Sequence, residues 1–139
     1  MGYKSPHKVC INLIASNMPV VADATAYYFS GYASAPDTIV NNFYSHIPVK
    51  GIVREISITS VSITAGSNEE WNLYLRINDT TDYLIAAVSA SAVKRRWLNA
   101  GMNISVEPTD IFIIKSTPVT WATNPANLSF YGQMIVEVE

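Results

Sequence analysis

Charge is scarce in this chain, and so is every side chain that commonly does chemistry. Only 14% of the 139 residues are charged, against roughly a quarter in an ordinary soluble domain. With 49% of residues apolar, uncharged Ser, Thr and Asn must complete the surface. Such a surface has little like-charge repulsion to hold identical copies apart, so self-association is expected. The formal net charge of -2 argues against nucleic acid, because neutralising phosphates takes clustered Lys and Arg. The one basic run, Lys94-Arg95-Arg96 before Trp97, reads first as a solvated face.

The single cysteine, Cys10, cannot close an intrachain disulfide. Flanked by Val9 and Ile11, it is expected to be a small packed hydrophobe rather than a nucleophile. His7 and His46 are the only histidines, and no HxH, HExxH or CxxC spacing exists to hold zinc. Glu69-Glu70, Asp79 and Asp82 fall at turns, where they solvate loops instead of working as acids in an apolar setting. They also lack the DxDxDG spacing of a calcium loop. Gly66, Gly101 and Gly132 are isolated, so there is no phosphate-cradling loop, and no GxSxG elbow occurs. The expectation is a protein that is not an enzyme and needs no cofactor. No apolar run approaches the roughly 20 residues that cross a bilayer, so membrane insertion is not expected. Asn12 interrupts Val9 to Ala15 and Pro19 follows, so the N-terminus is expected to be used as made rather than cleaved as a signal peptide. Asn78, Asn103 and Asn127 open Asn-x-Ser/Thr sequons, which a Ser/Thr/Asn-rich chain produces by chance.

What the chain does have is strand chemistry. IVREISITSVSIT (52–64) alternates apolar with small polar residues and is rich in β-branched side chains. Its alternation slips between Ser60 and Val61, where a β-bulge is expected to absorb the extra residue. Trp71, Leu73, Leu75 and Ile77 share one face, and the turn residues Asn78 to Thr81 lead into a second strand from Tyr83 to Ser89, which together read as a hairpin. Met102 to Val106 is a short strand closed by Pro108, and the apolar run Ile111 to Lys115 suits a strand covered on both sides. From 128 to 139 the period of two is at its cleanest, with Leu128, Phe130, Met134 and Val136 on one side and Tyr131, Gln133 and Ile135 on the other. Residues 26–32 are aromatic and strand-like, and 42–49 suggest another strand. The expected fold is an all-β antiparallel sandwich of jelly-roll type with about eight to ten strands. Residues 1–20 are read as an extra strand or an arm, and 21–139 as a single domain.

Large aromatics in irregular segments provide much contact energy at low entropic cost. Trp97, and Trp121 within the Pro-bracketed stretch 118–125, are therefore candidate interface or ligand residues. Arg95, Arg96, Phe130, Tyr131 and Met134 join them as candidates.

TAGSNEEWNLYLRINDTTDYLIAAVS (64–89) and PTDIFIIKSTPVTWATNPANLSFYGQMIVEVE (108–139) resemble a family of small phage domains. These occur at the ends of tail-fibre-like proteins and as free-standing virion proteins, and WATNP (121–125) is the most specific shared piece. The match spans about residues 24 to 139. It departs at Thr109, where glycine is common, and at Val119, which separates Pro118 from Thr120. The resemblance implies a sandwich that assembles as a homotrimer and decorates a capsid or tips a fibre. The aromatic before Gly132 is similar to tumour-necrosis-factor-like jelly rolls, whose last strand lies near the threefold axis.

Two functions follow as expectations. The first is an architectural virion protein, a capsid-decoration or head-fibre subunit that binds itself and other virion proteins such as the major capsid protein. The second is a tail-fibre tip module that presents Trp97 and Trp121 to a host surface glycan or protein.

Overall fold

In the computed structural model, residues 6–16, 18, 26–31, 44–63, 70–89, 92–117 and 127–139 are described. They contain ten strands and no helix: β1 (Lys8–Ala15), β2 (Tyr27–Phe29), β3 (Ser45–His46), β4 (Gly51–Val61), β5 (Glu70–Ile77), β6 (Thr81–Ser89), β7 (Lys94–Asn99), β8 (Ile104–Val106), β9 (Ile111–Thr117) and β10 (Ser129–Val138). The strands form two five-stranded sheets in which every pairing is antiparallel. Sheet A runs β1, β10, β4, β7, with β8 also on β4; sheet B runs β2, β9, β5, β6, with β3 also on β9. The chain crosses between the layers repeatedly, and only β5 and β6 pair as consecutive strands. That wrapping is jelly-roll topology.

The core follows from the period of two. Inward residues of sheet A, among them Leu13, Val53, Ile56, Ile58, Phe130, Met134 and Val136, meet Phe29, Leu73, Leu75, Phe112 and Ile114 of sheet B. The Phe29 and Phe130 rings join the two layers, stacked with centroids 6.1 Å apart and planes 10° apart. In β9 the outward-phase Ile113 is buried as completely as its inward neighbours, so the strand is covered on both sides at that point, while Ile111, Lys115 and Thr117 of the same phase are half-buried. Residues 8–15, expected as an extra strand or an arm, pair with β10 from Lys8 opposite Glu137 to Ala15 opposite Phe130.

Several expectations are corrected. No bulge forms at Ser60 and Val61. The inward phase continues through Ser60 and Ser62, leaving Val61 and Ile63 exposed. Small hydroxyl side chains substitute for aliphatic ones at the tapering end of the strand. The bulge lies instead opposite Ile135 and Val136, where Arg54 is the extra residue between Val53 and Glu55. Cys10 is exposed rather than packed, because it alternates with the inward-phase Val9 and Ile11 on an edge strand. The strand expected over 42–49 is only Ser45–His46, with residues 42 and 43 outside the described residues. The strand expected from Met102 begins at Ile104, because Asn103 has a left-handed φ of 49°.

The sequon asparagines have a structural reason to be where they are. Asn78, Asn103 and Asn127 all take positive φ, with Asp79 as the fourth such residue among those described. Asn tolerates that region better than most residues with a Cβ. Asn78 and Asp79, at φ 51° and 56°, form the tip of the β5 to β6 hairpin, closed by the Thr80 N–H donating to the Ile77 carbonyl at 3.2 Å.

Candidate functional site

The outer faces of the two sheets differ in how far their polar groups are already engaged. On sheet B, the outward residues of β5, β6 and β9 neutralise each other. Arg76 Nε donates to Asp79 at 2.9 Å, Arg76 lies 3.5 Å from Asp82, and Lys115 donates to Asp82 at 2.8 Å while sitting over the Tyr74 ring. Asp79 and Asp82 are thus paired with cations, beyond the loop-solvating role expected of them. Tyr44 belongs to this face: burial, then the Asp79 carboxylate, push its hydroxyl up to about 12.

On sheet A, strand register sets the outward side chains in rows. Ile14, Tyr131, Thr59 and Arg96 form one row across β1, β10, β4 and β7, and Asn12, Gln133, Ser57 and Leu98 form the next. Short side chains at Ser57 and Thr59 leave a groove of about 440 Å³ between the taller Tyr131, Gln133, Asn12 and Arg96. Gly132 is required where it stands, because a Cβ there would come within 2.4 Å of the Ser57 carbonyl oxygen. No ion pair or side-chain hydrogen bond joins these groove residues to one another or to any other described residue.

The candidate residues separate clearly. Phe130 and Met134, expected as interface or ligand residues, are instead fully buried in the sandwich, because they occupy the inward phase of β10, and neither can meet a partner without opening the core. Tyr131, next to Phe130, is about half exposed on the opposite face. Arg95 and Arg96 are exposed; Trp97 is half-buried against the edge of the core, with the Arg95 guanidinium 5.7 Å from its ring centroid. Trp121 and the rest of WATNP lie outside the described residues, as does the Trp71 side chain. Among the described residues no three His, Cys, Asp or Glu side chains gather as a metal site.

One further surface feature has little trace in the sequence. The exposed large apolar residues Val61, Ile63, Leu84, Val93 and Leu98 all lie on or beside β6, β7 and the end of β4. The Ser62 N–H donates to the Val93 carbonyl at 2.8 Å, and Asn99 Nδ2 donates to the Leu84 carbonyl at 3.3 Å, so these segments adjoin along one flank of the sandwich, with Val61 and Leu98 on the outer side of sheet A and Leu84 on that of sheet B. The slip of pattern at Val61 was its only signal.

No family model matches the chain, and no curated protein matches it in sequence. Solved structures do resemble it. The globular domain of zebrafish complement 1qA superposes with a TM-score of 0.50 at 11% identity, over 94% of this chain and 97% of that one. PRD1 vertex protein P5 gives 0.44 at 13% identity, over 94% of this chain and 73% of its own. CBM35 from Cellvibrio japonicus Abf62 gives 0.39 at 14% identity, over 96% and 99%. At such identities the likeness concerns fold alone, and the first superposition agrees with the strand topology: the chain is an all-β sandwich of jelly-roll type.

Proposed function

We propose that this chain is a non-enzymatic architectural protein of a bacteriophage particle, a capsid-decoration or head-fibre subunit that assembles with copies of itself. The observation that carries the reading is the flank of β6, β7 and the end of β4. A monomer leaves Val61, Ile63, Leu84, Val93 and Leu98 in water there, and clustered exposed apolar side chains are characteristic of protein contacts. The resemblance of residues 64–89 and 108–139 to small phage virion domains supplies the biological setting.

Charge favours one kind of symmetry. Lys94 and Arg95 run through the same flank and form no ion pair among the described residues. Packing flank against flank about a twofold axis would bring these like charges together. A head-to-tail contact, in which the flank meets a different surface of the next copy, avoids the repulsion and closes into a ring such as a trimer. Burial of the flank would then couple assembly to stability.

The mass in dilute solution tests this. Sedimentation at micromolar concentration is expected to give a closed oligomer, and Ile63→Asp combined with Leu98→Asp is expected to yield folded monomers. A wild-type chain that remains monomeric and does not attach to particles lacking it would sink the reading.

A further inference from the structure

We propose that the groove across the outer face of sheet A binds an acidic saccharide, with the sugar carboxylate on Arg96 and the sugar ring against Tyr131. The chemistry of the lining points there. A saccharide presents hydroxyls around its rim and C–H groups on its ring faces, so its site needs small two-way hydrogen-bonding groups beside an aromatic surface. Asn12 and Gln133 contribute amides that both donate and accept, and Ser57 and Thr59 add hydroxyls on the floor. Tyr131 stands beside them about half exposed. None of these side chains has a hydrogen-bond partner among the described residues, unlike the polar groups of sheet B.

Charge narrows the class. Arg96 is the only charged residue lining the groove, and no carboxylate of the described residues pairs with it. A guanidinium free of partners, beside otherwise neutral groups, complements one carboxylate rather than a neutral sugar. The floor of hydroxyls and a volume near the lower end of small-ligand sites, which run from roughly 300 Å³, suit one or two sugar units better than a protein segment. The site is also preorganised, because strand pairing holds all six residues in register and no loop contributes.

Titration of the full-length chain with trigalacturonate, followed by backbone amide NMR and calorimetry, tests the proposal, with galacturonate and a neutral cello-oligosaccharide as comparison ligands. Binding of trigalacturonate is expected, with shifts confined to residues 12–14, 57–59, 96 and 131–133. Arg96→Gln and Tyr131→Ala are each expected to weaken it about tenfold or more while leaving the circular dichroism unchanged. The neutral oligosaccharide is expected to bind at least as weakly as Arg96→Gln does. Galacturonate that binds as well as the trimer assigns a free acidic sugar, and binding by the trimer alone assigns a polymer; either supports the site. No binding by either acid, equal binding of acidic and neutral sugars, unchanged affinity in Arg96→Gln, or shifts clustered instead around Lys94 and Arg95 would each overturn it. These readouts are scored at the groove whatever the mass of the particle, so their failure is distinct from failure of the assembly reading.

Discussion

Single residues in this sandwich are held to different tolerances, and the close approach at Gly132 is among the narrowest. Gly132→Ala places a methyl group against the Ser57 backbone, in the middle of sheet A. Backbone cannot swing aside as a side chain can, so a loss of about 2 kcal/mol or more is expected in urea unfolding. Ser116 behaves in the opposite way. Its hydroxyl is buried in β9 with no partner among the described residues. Ser116→Ala removes a desolvated polar group without changing backbone or leaving a large void, and is expected to stabilise by about 1 kcal/mol. Tyr44 adds a pH dependence. Below pH 10 the hydroxyl is protonated in both folded and unfolded chains, and its contribution is fully present. Between 10 and about 12 the unfolded chain gives up the proton first, so stability falls as pH rises through that window. Ultraviolet titration is expected to show a late-ionising tyrosine that is lost in Tyr44→Phe, and the alkaline decline in melting temperature is expected to become shallower in that variant.

Elements owe their positions to a few side chains that settle local geometry. Arg54, the extra residue of the β4 bulge, is anchored on both sides: its guanidinium meets Glu137 at 3.2 Å and donates to Asn103 Oδ1 at 2.8 Å. The pair is partly exposed, so Arg54→Ala is expected to cost only about 0.5–1 kcal/mol. Repeating the unfolding at 1 M salt is expected to shrink that difference. The hairpin tip depends more heavily on one side chain. Asn78 takes a left-handed φ, donates to Asp110 at 2.8 Å and accepts from the Ile111 N–H at 3.1 Å, tying the hairpin to the start of β9. The hairpin itself was readable from Asn78-Asp79-Thr80, because few residue types accept that backbone. The bulge was not: a slip in hydrophobic pattern marks a change of phase only if every inward residue is apolar, and Ser60 and Ser62 face inward. Cys10 was misread for a related reason. Apolar neighbours on both sides suggest burial, yet in a strand the neighbours point the opposite way.

At the scale of the molecule, topology rules the kinetics and the surface. All pairings other than β5 with β6 join strands that are not neighbours in the chain, so refolding is expected in milliseconds to seconds rather than microseconds. The N-terminal edge matters to the whole. β1 brings Leu13 and Ala15 into the core and covers β10, so removing residues 1–15 is expected to expose a long unpaired strand and to promote aggregation. From the sequence alone came the fold class, most strand positions, the hairpin and the division of β10 into two faces, because a period of two and turn-specific residues are local signals that survive any packing. Tertiary structure alone decided which sheet each strand joins, that Phe130 and Met134 face inward while Tyr131 faces out, and that Asn12, Ser57, Thr59, Arg96, Tyr131 and Gln133 share one groove. Those six residues come from four strands spread along nearly the whole chain, and only the register of antiparallel pairing brings them side by side.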